Sequence, residues 1–328
     1  MALLTPLSLE RARELLEDYG LALTELEPLA AGSVNSNFRL LIDGGARYFA
    51  RIYEEQDQAG AVAELEMVQE LERAGVPVVK AVPRLDGKLV HEIDGKPFAV
   101  YPWLEGEILC QARVDARAAR AIGTALARVH QCGARFPALG AGRFGPGELA
   151  ARLDLVEARG DADLRAGARF VRAKYAEYLP QRSADLPKGL IHSDLFKDNV
   201  LWRDGQILAL IDFESASTGP YLYDLMVTLL AWCYSDHLDQ ELAAALLQGY
   251  AGERPLGEAE LAAVGVEAAL ACLRFATTRM TDFSLRTAPG CPPGRDYRRF
   301  LSRLAEVEAG ALAKPLRTLH GRGLGAIT

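Results

Sequence analysis

In Gly189-Leu190-Ile191-His192-Ser193-Asp194-Leu195-Phe196-Lys197-Asp198-Asn199-Val200-Leu201-Trp202, two short strand-like runs, 189–192 and 200–202, enclose a polar turn carrying Asp194 and Asn199. A third run, 207–212, ends on Asp212 and continues into Phe213-Glu214, and Gly219-Pro220 then leads into a helix with Asp224 in its first turn. Polar side chains at the ends of short apolar strands are where a rigid scaffold presents chemistry. On both sides of this β-rich insert, apolar residues recur at helical spacing over 115–132, 148–159 and 162–178, and again over 221–234, 240–250, 258–285 and 294–316. The insert therefore lies within a mostly helical lobe.

Toward the N-terminus the texture changes. Ser8 is placed to cap a helix that runs to Tyr19 and stops at Gly20. Strand-like runs follow at 24–29, 37–42 and 47–53, the last two joined by Asp43-Gly44-Gly45, and 88–93 and 96–103 flank Asp94-Gly95. Both connections are hairpin chemistry. Between the hairpins, residues 58–74 carry Val62, Leu65, Val68 and Leu71 at helical spacing before Gly75. The expected fold is α+β with two lobes: a small N-terminal lobe, 1–102, with a five-stranded antiparallel sheet and one internal helix, and a large mostly helical lobe, 103–328.

Half of the 328 residues are apolar and a quarter are charged, the composition of a folded globular chain. Acidic residues exceed basic ones, 44 against 37, and the resulting net charge of −7 argues against a nucleic-acid partner. The 5 cysteines (Cys110, Cys132, Cys233, Cys272, Cys291) are scattered, unlike a disulfide framework. The opening Met1-Ala2-Leu3-Leu4-Thr5-Pro6 has no positive n-region, and the longest nearly apolar run, 225–233, is about half of the ~20 residues a membrane span needs. These features predict a soluble cytoplasmic protein, monomer or homodimer, with no membrane partner. His130-x-Cys132 and Cys233-x-x-x-His237 lack the paired spacing of a structural zinc site.

The central segment has the spacing His-x-Asp-x-x-x-x-Asn of a kinase catalytic loop, with an aspartate after the next strand. Phosphoryl transfer asks for these residue types: an acceptor beside the attacking hydroxyl, and hard oxygen ligands for a divalent cation. His192-Ser193-Asp194…Asn199, Ile211-Asp212-Phe213-Glu214 and Gly219-Pro220-x-x-x-Asp224 together resemble the aminoglycoside phosphotransferase/choline kinase superfamily, whose fold is protein-kinase-like. The resemblance covers nearly the whole chain. Within the superfamily, Ala31-Gly32-Ser33-Val34-Asn35-Ser36-Asn37-Phe38, Tyr221-Leu222-Tyr223-Asp224-Leu225 and Arg274-Phe275-x-x-x-Arg279-x-x-Asp282-Phe283 are most similar to the homoserine kinases built on this fold. That resemblance implies ATP and Mg²⁺ as cofactors, and L-homoserine as the acceptor converted to O-phosphohomoserine on the route to threonine.

The resemblance also implies roles. Asp194 would orient or deprotonate the acceptor hydroxyl, Asn199 and Asp212 would hold Mg²⁺, His192 would brace the loop, and Asp224 would accept hydrogen bonds from the loop backbone, although a simple helix cap would occupy the same position. In the small lobe, Arg51 stands where the superfamily places a phosphate-binding lysine; it keeps the charge but differs in reach. Glu64 is its expected helix partner, with Glu66 the rival on another face. Gly32, Ser33, Asn35 and Ser36 form the phosphate-covering loop, which has one glycine where protein kinases have three, and Tyr101 and Trp103 lie in the hinge that would meet the adenine edge. A zwitterionic acceptor needs a cation for its carboxylate and an acid for its ammonium, a pair that Arg279 and Asp282 offer one helical turn apart; the same two residues also suit an ordinary surface pair. Related kinases for choline, ethanolamine, an amino sugar or an aminoglycoside are the rival enzymes, and a catalytically inactive nucleotide-binding regulatory protein is the rival outside enzymes.

Overall fold

A computed structural model describes residues 5–29, 34–133, 136, 142–285 and 296–320. Two compact units emerge: Met1–Glu107 with Leu208–Glu214, and Ile108–Ile207 with Ser215–Thr328.

The first unit opens with α1 (Leu9–Glu17), whose N-cap Ser8 accepts a hydrogen bond from the Arg11 backbone. Strands β1 (Leu23–Leu29), β2 (Ser36–Ile42), β3 (Arg47–Ile52), β4 (His91–Ile93) and β5 (Lys96–Pro102) form one sheet in the order β1-β2-β3-β5-β4. Each neighbouring pair is antiparallel. Ala12, Leu15 and Leu16 of α1 pack with Phe38, Leu40, Ile52, Phe98 and Val100 in one core. On the other side, α2 (Gln58–Arg73) buries Ala61 and Leu65 against Tyr53 and Ala99. Alternation along β3 thus sends Ile52 into the first core and leaves Arg51 and Tyr53 on the α2 face. The segment bearing Asp212 also packs in this unit: the Leu210 backbone N–H donates to Pro77 O at 2.7 Å, beside a parallel bridge to Val78. Sequence order alone places that segment in the helical lobe.

In the second unit, α3 (Ala116–Gly133), α4 (Pro146–Arg159), α5 (Ala162–Tyr178), α6 (Tyr221–Trp232), α7 (Gln240–Glu253) and α8 (Glu258–Arg279) surround β6 (Lys188–Ile191) and β7 (Val200–Arg203). The strand β8 (Gln206–Leu210), which forms a two-stranded hairpin with β7 through Asp204-Gly205, starts in this unit and runs at Leu208 into the first. A strand that the sequence pattern does not reveal, β9 (Ser217–Pro220), pairs antiparallel with β6 and delivers the chain into α6. Four residues containing Gly-Pro carry too little periodicity to read as a strand, so the pairing with β6 defines it. Helix α6 is apolar all round and buried along nearly its whole length, as a central helix must be. Helices α3 and α7 cross with almost no side chain between them: a Cβ on Gly123 would lie 2.1 Å from Leu246 O, and one on Gly249 2.1 Å from Arg120 O.

Helix α8 continues into a π-helical turn, Met280–Ser284. The span Glu258–Ser284 is long and apolar enough to cross a membrane by length and composition, but its apolar stretch is mostly buried in the unit. Where the pattern over 294–316 suggests one helix, there are two, α9 (Arg298–Glu308) and α10 (Ala313–His320). Gly310, at φ 82°, ends α9 in the left-handed conformation, and the Ala311 backbone reaches back to Glu306 O at 3.0 Å. The expected start of that helix at Gly294 lies outside the described residues.

Candidate active site

The loop between β6 and β7 is held from beneath by one carboxylate. Asp224, in the first turn of α6, accepts from the His192 backbone N–H through Oδ2 at 2.7 Å and from the Ser193 backbone N–H through Oδ1 at 2.8 Å. His130 of α3 adds a third contact, its Nε2 lying 3.0 Å from Asp224 Oδ2, while its Nδ1 lies 2.7 Å from Tyr250 Oη of α7. Burial would raise the Asp224 pKa, yet the His130 hydrogen bond, the imidazoles and the backbone donor hold it below its ordinary value. Burial keeps His130 the other way, below the ordinary imidazole range, so it is neutral at pH 7 and donates from Nε2–H. The close α3–α7 crossing is what brings His130 and Tyr250 together.

This grip matters because Ser193 sits at φ 64°, a conformation uncommon outside glycine. The carboxylate compensates the strain by satisfying both backbone donors at the bend. His192 is fully buried, and the Asp194 backbone donates to its Nδ1 at 3.3 Å, so it stiffens the turn from inside. Asn199 donates from Nδ2 to Asp194 O at 2.8 Å, which leaves its Oδ1 without a hydrogen bond among the described residues. Helix α6 secures the far side: Trp232 Nε1 donates to Leu195 O at 2.9 Å, and the Lys197 ammonium donates to Ala231 O at 2.7 Å and Gln111 Oε1 at 2.8 Å. Burial pulls the Lys197 pKa down to about 8.

One residue here was not singled out by itself in the sequence. Arg274 of α8 is 3% exposed and sends Nη1 to Asp194 Oδ1 at 3.2 Å. The signal that could have found it is a single arginine inside the apolar run Ala268-Ala269-Leu270-Ala271-Cys272-Leu273-Arg274-Phe275-Ala276. Arg279 and Asp282, expected as a pair, have separate partners. The Arg279 guanidinium lies over the Phe300 ring, 4.6 Å from its centroid, whereas Asp282 Oδ1 takes a 2.7 Å ion pair from Arg152. Asp282 stands in the π-helical turn, which breaks the i,i+3 register assumed from a regular helix.

In the first unit, Arg51 projects from β3 and pairs with Asp212 Oδ1 at 3.2 Å, with Nε reaching Asn37 Oδ1 at 3.3 Å. Burial works against its charge, but Asp212, Tyr53, Tyr101 and Glu64 together hold its pKa above the ordinary value. Asp212 itself is at φ 67°, a second strained position, and its Oδ2 forms no hydrogen bond among the described residues. Glu64 is buried on α2 and receives Gln56 Nε2 at 3.0 Å; it influences Arg51 electrostatically, and no ion pair joins the two. Its pKa is pushed up to about 7, mainly by burial.

Ser36 Oγ donates to Glu54 Oε1 at 2.5 Å, and Asn35 donates from Nδ2 to Glu214 Oε2 at 2.6 Å while its Oδ1 accepts from the Glu54 backbone at 3.1 Å. Ser36, expected in the phosphate-covering loop, therefore turns its hydroxyl into the protein. Gly32 and Ser33 lie outside the described residues. Tyr101 Oη lies 2.6 Å from Tyr53 Oη, and the Trp103 backbone N–H donates to Arg47 O at 3.2 Å, so that donor serves the sheet.

Residues 25–256 match the phosphotransferase enzyme family. The homoserine kinase of Chelativorans sp. (strain BNC1) is 34% identical over 308 residues, covering 93% of this chain and 95% of that protein. The homoserine kinase of Gluconobacter oxydans (strain 621H) is 31% identical over 322 residues, covering 95% and 99%. Among solved structures, amicoumacin kinase in complex with AMP-PNP, Ca²⁺ and Ami aligns with TM-score 0.70 at 20% identity, over 92% of this chain and 94% of that one. A microcompartment-associated aminopropanol kinase aligns with TM-score 0.70 at 18% identity, over 95% and 100%. The α+β architecture is thus shared with these kinases.

Proposed function

Since this chain belongs to the phosphotransferase enzyme family, with ATP as phosphoryl donor, we propose that its acceptor is L-homoserine and its product O-phosphohomoserine, on the route to threonine. The observation that carries the choice of acceptor is the similarity, along almost their whole lengths, to proteins named homoserine kinase.

In this reading Asp194 is the catalytic residue. Its carboxylate orients the acceptor hydroxyl and takes its proton as that oxygen bonds to the γ-phosphorus; the bond from γ-phosphorus to the β,γ-bridging oxygen breaks, and ADP leaves with that electron pair. Asp224, His130 and His192 hold the loop bearing Asp194 in place and touch no substrate. Asn199 and Asp212, which occupy the metal-binding positions of the motif, each keep one side-chain oxygen without a hydrogen bond among the described residues; hard oxygen donors of this kind suit Mg²⁺, and these two residues would hold it. When bound, that ion supplies charge neutralisation for the phosphates. Arg51 meets the phosphates as the family's lysine does, and its pairing with Asp212 keeps its guanidinium extended toward the end of β8.

The test is steady-state kinetics with an ADP readout on homoserine, choline and kanamycin. Homoserine turnover is expected, and turnover of choline or kanamycin alone overturns the acceptor. Asp194→Ala is expected to lower kcat by at least ~10³-fold while ATP affinity stays within about threefold. A variant of near-native kcat overturns the role of Asp194.

A further inference from the structure

A cavity of about 130 Å³ opens inside the second unit, bordered by Phe144, Tyr175, Arg182, Ser193, Thr218 and Arg274 among others. Among the described residues no aspartate or glutamate lines it, and two arginines do. They are not equivalent. Arg182 is closed off by the buried Glu267, which takes Nε at 2.9 Å and Nη2 at 2.8 Å in a two-pronged pair. Among the described residues Arg274 has a single polar contact, 3.2 Å to Asp194, and its buried Nε has no hydrogen-bond partner. Its guanidinium is clamped between rings, 3.8 Å from the Phe144 centroid and 3.7 Å from that of Phe275, so it cannot swing away to water. The Tyr175 hydroxyl is a second buried polar atom on a lining residue, with Thr277 as its neighbour and no well-formed hydrogen bond among the described residues. A guanidinium held at a cavity wall with one ion-pair contact has donor capacity to spare for an anion.

Resting on the homoserine reading, we propose that this cavity is the acceptor's carboxylate subsite, with Arg274 as its anion-binding residue and Tyr175 as a second donor. A carboxylate in the cavity would meet the Arg274 guanidinium, which lines it and makes one ion-pair contact among the described residues. Because the same guanidinium touches Asp194, the subsite adjoins the residue that handles the acceptor hydroxyl. Arg274 then selects amino-acid acceptors over amino alcohols of the same length.

The experiment compares L-homoserine with 3-amino-1-propanol, the same chain without the carboxylate, in the native protein and in Arg274→Met. 3-Amino-1-propanol is measured as an acceptor and as a competitive inhibitor of homoserine turnover; L-2-aminobutyrate, which keeps the carboxylate and lacks the hydroxyl, is measured as an inhibitor. Loss of a charge-assisted pair is expected to reduce homoserine kcat/KM by about 30- to 100-fold, chiefly through KM, and to weaken 2-aminobutyrate inhibition to match. The constants for 3-amino-1-propanol should move less than about threefold. Equal losses on the carboxylate and non-carboxylate ligands would mean that Arg274 acts only through Asp194, and would overturn the inference while leaving the homoserine reading intact. Absence of homoserine turnover in the native protein is the separate failure that removes both. Should Arg274→Met not fold, as judged by circular dichroism, Tyr175→Phe serves in its place: a rise of about three- to tenfold in the KM for homoserine is expected, and an unchanged KM overturns the subsite.

Discussion

Glu64 in the first unit and Asp224 in the second are both buried carboxylates, 9% and 0% exposed, and they ionise in opposite directions. Glu64 is pushed up to about 7, whereas Asp224 is held below its ordinary value. Depth does not separate them, because the more deeply buried group is the more acidic one. Donors do. Asp224 is met by two backbone N–H groups and an imidazole, and Glu64 by one amide, with Asp212 and Glu214 adding like charge nearby. A buried carboxylate remains an anion when the fold aims enough hydrogen bonds at it. Such an anion can hold a strained loop, as Asp224 does, whereas Glu64 is poised to change its charge near neutral pH.

The largest effect expected from breaking this contrast is at Asp224. Asp224→Asn places an amide NH₂ where one backbone donor points, so it cannot serve both Ser193 and His192. Stability should fall by about 3–5 kcal/mol in urea denaturation, and kcat by at least ~10²-fold as the Asp194 loop shifts. A variant with kcat within threefold of native would show that the loop holds itself.

Glu64→Gln sharpens the other side. Its carboxyl has a higher pKa folded than unfolded, so its contribution is most favourable below about pH 4.5 and is lost as pH rises to about 7. Relative to native, the glutamine variant should therefore be more stable by roughly 3 kcal/mol at pH 8, and close to equal at pH 4. Melting temperatures across that range check it, and a stability difference independent of pH would refute it. The smallest effect is at Tyr250→Phe, which removes the hydroxyl on His130 Nδ1 and leaves the Asp224 contacts in place. About 1 kcal/mol of stability should be lost with kcat nearly native, read by denaturation and kinetics together.

Much of this was legible in the sequence, for physical reasons visible at particular residues. Hairpins at Asp43-Gly44-Gly45 and Asp94-Gly95 and the capped helix after Ser8 are local events, decided by a few neighbouring dihedrals and one side-chain hydrogen bond. The spacing of His192, Asp194 and Asn199 is likewise a property of one short loop. Harder to read was anything made by residues distant in the chain. Asn35 reads locally as part of a phosphate-covering loop, and its side-chain amide bonds Glu214, far along the chain. Arg279 and Asp282 look like a pair on a regular helix, but a π-helical turn and Arg152 separate them.

What the sequence determined by itself is the set of elements and the chemistry that the loop between β6 and β7 carries, because helix caps, turns and motif spacing act over a few residues. Only the tertiary structure decided which buried groups remain charged, which arginine stands beside Asp194, and that the strand end bearing Asp212 packs against Pro77 and Val78. Those outcomes depend on donors and charges contributed by segments far apart in sequence, and desolvation and hydrogen bonding take their values only once the fold has brought those segments together.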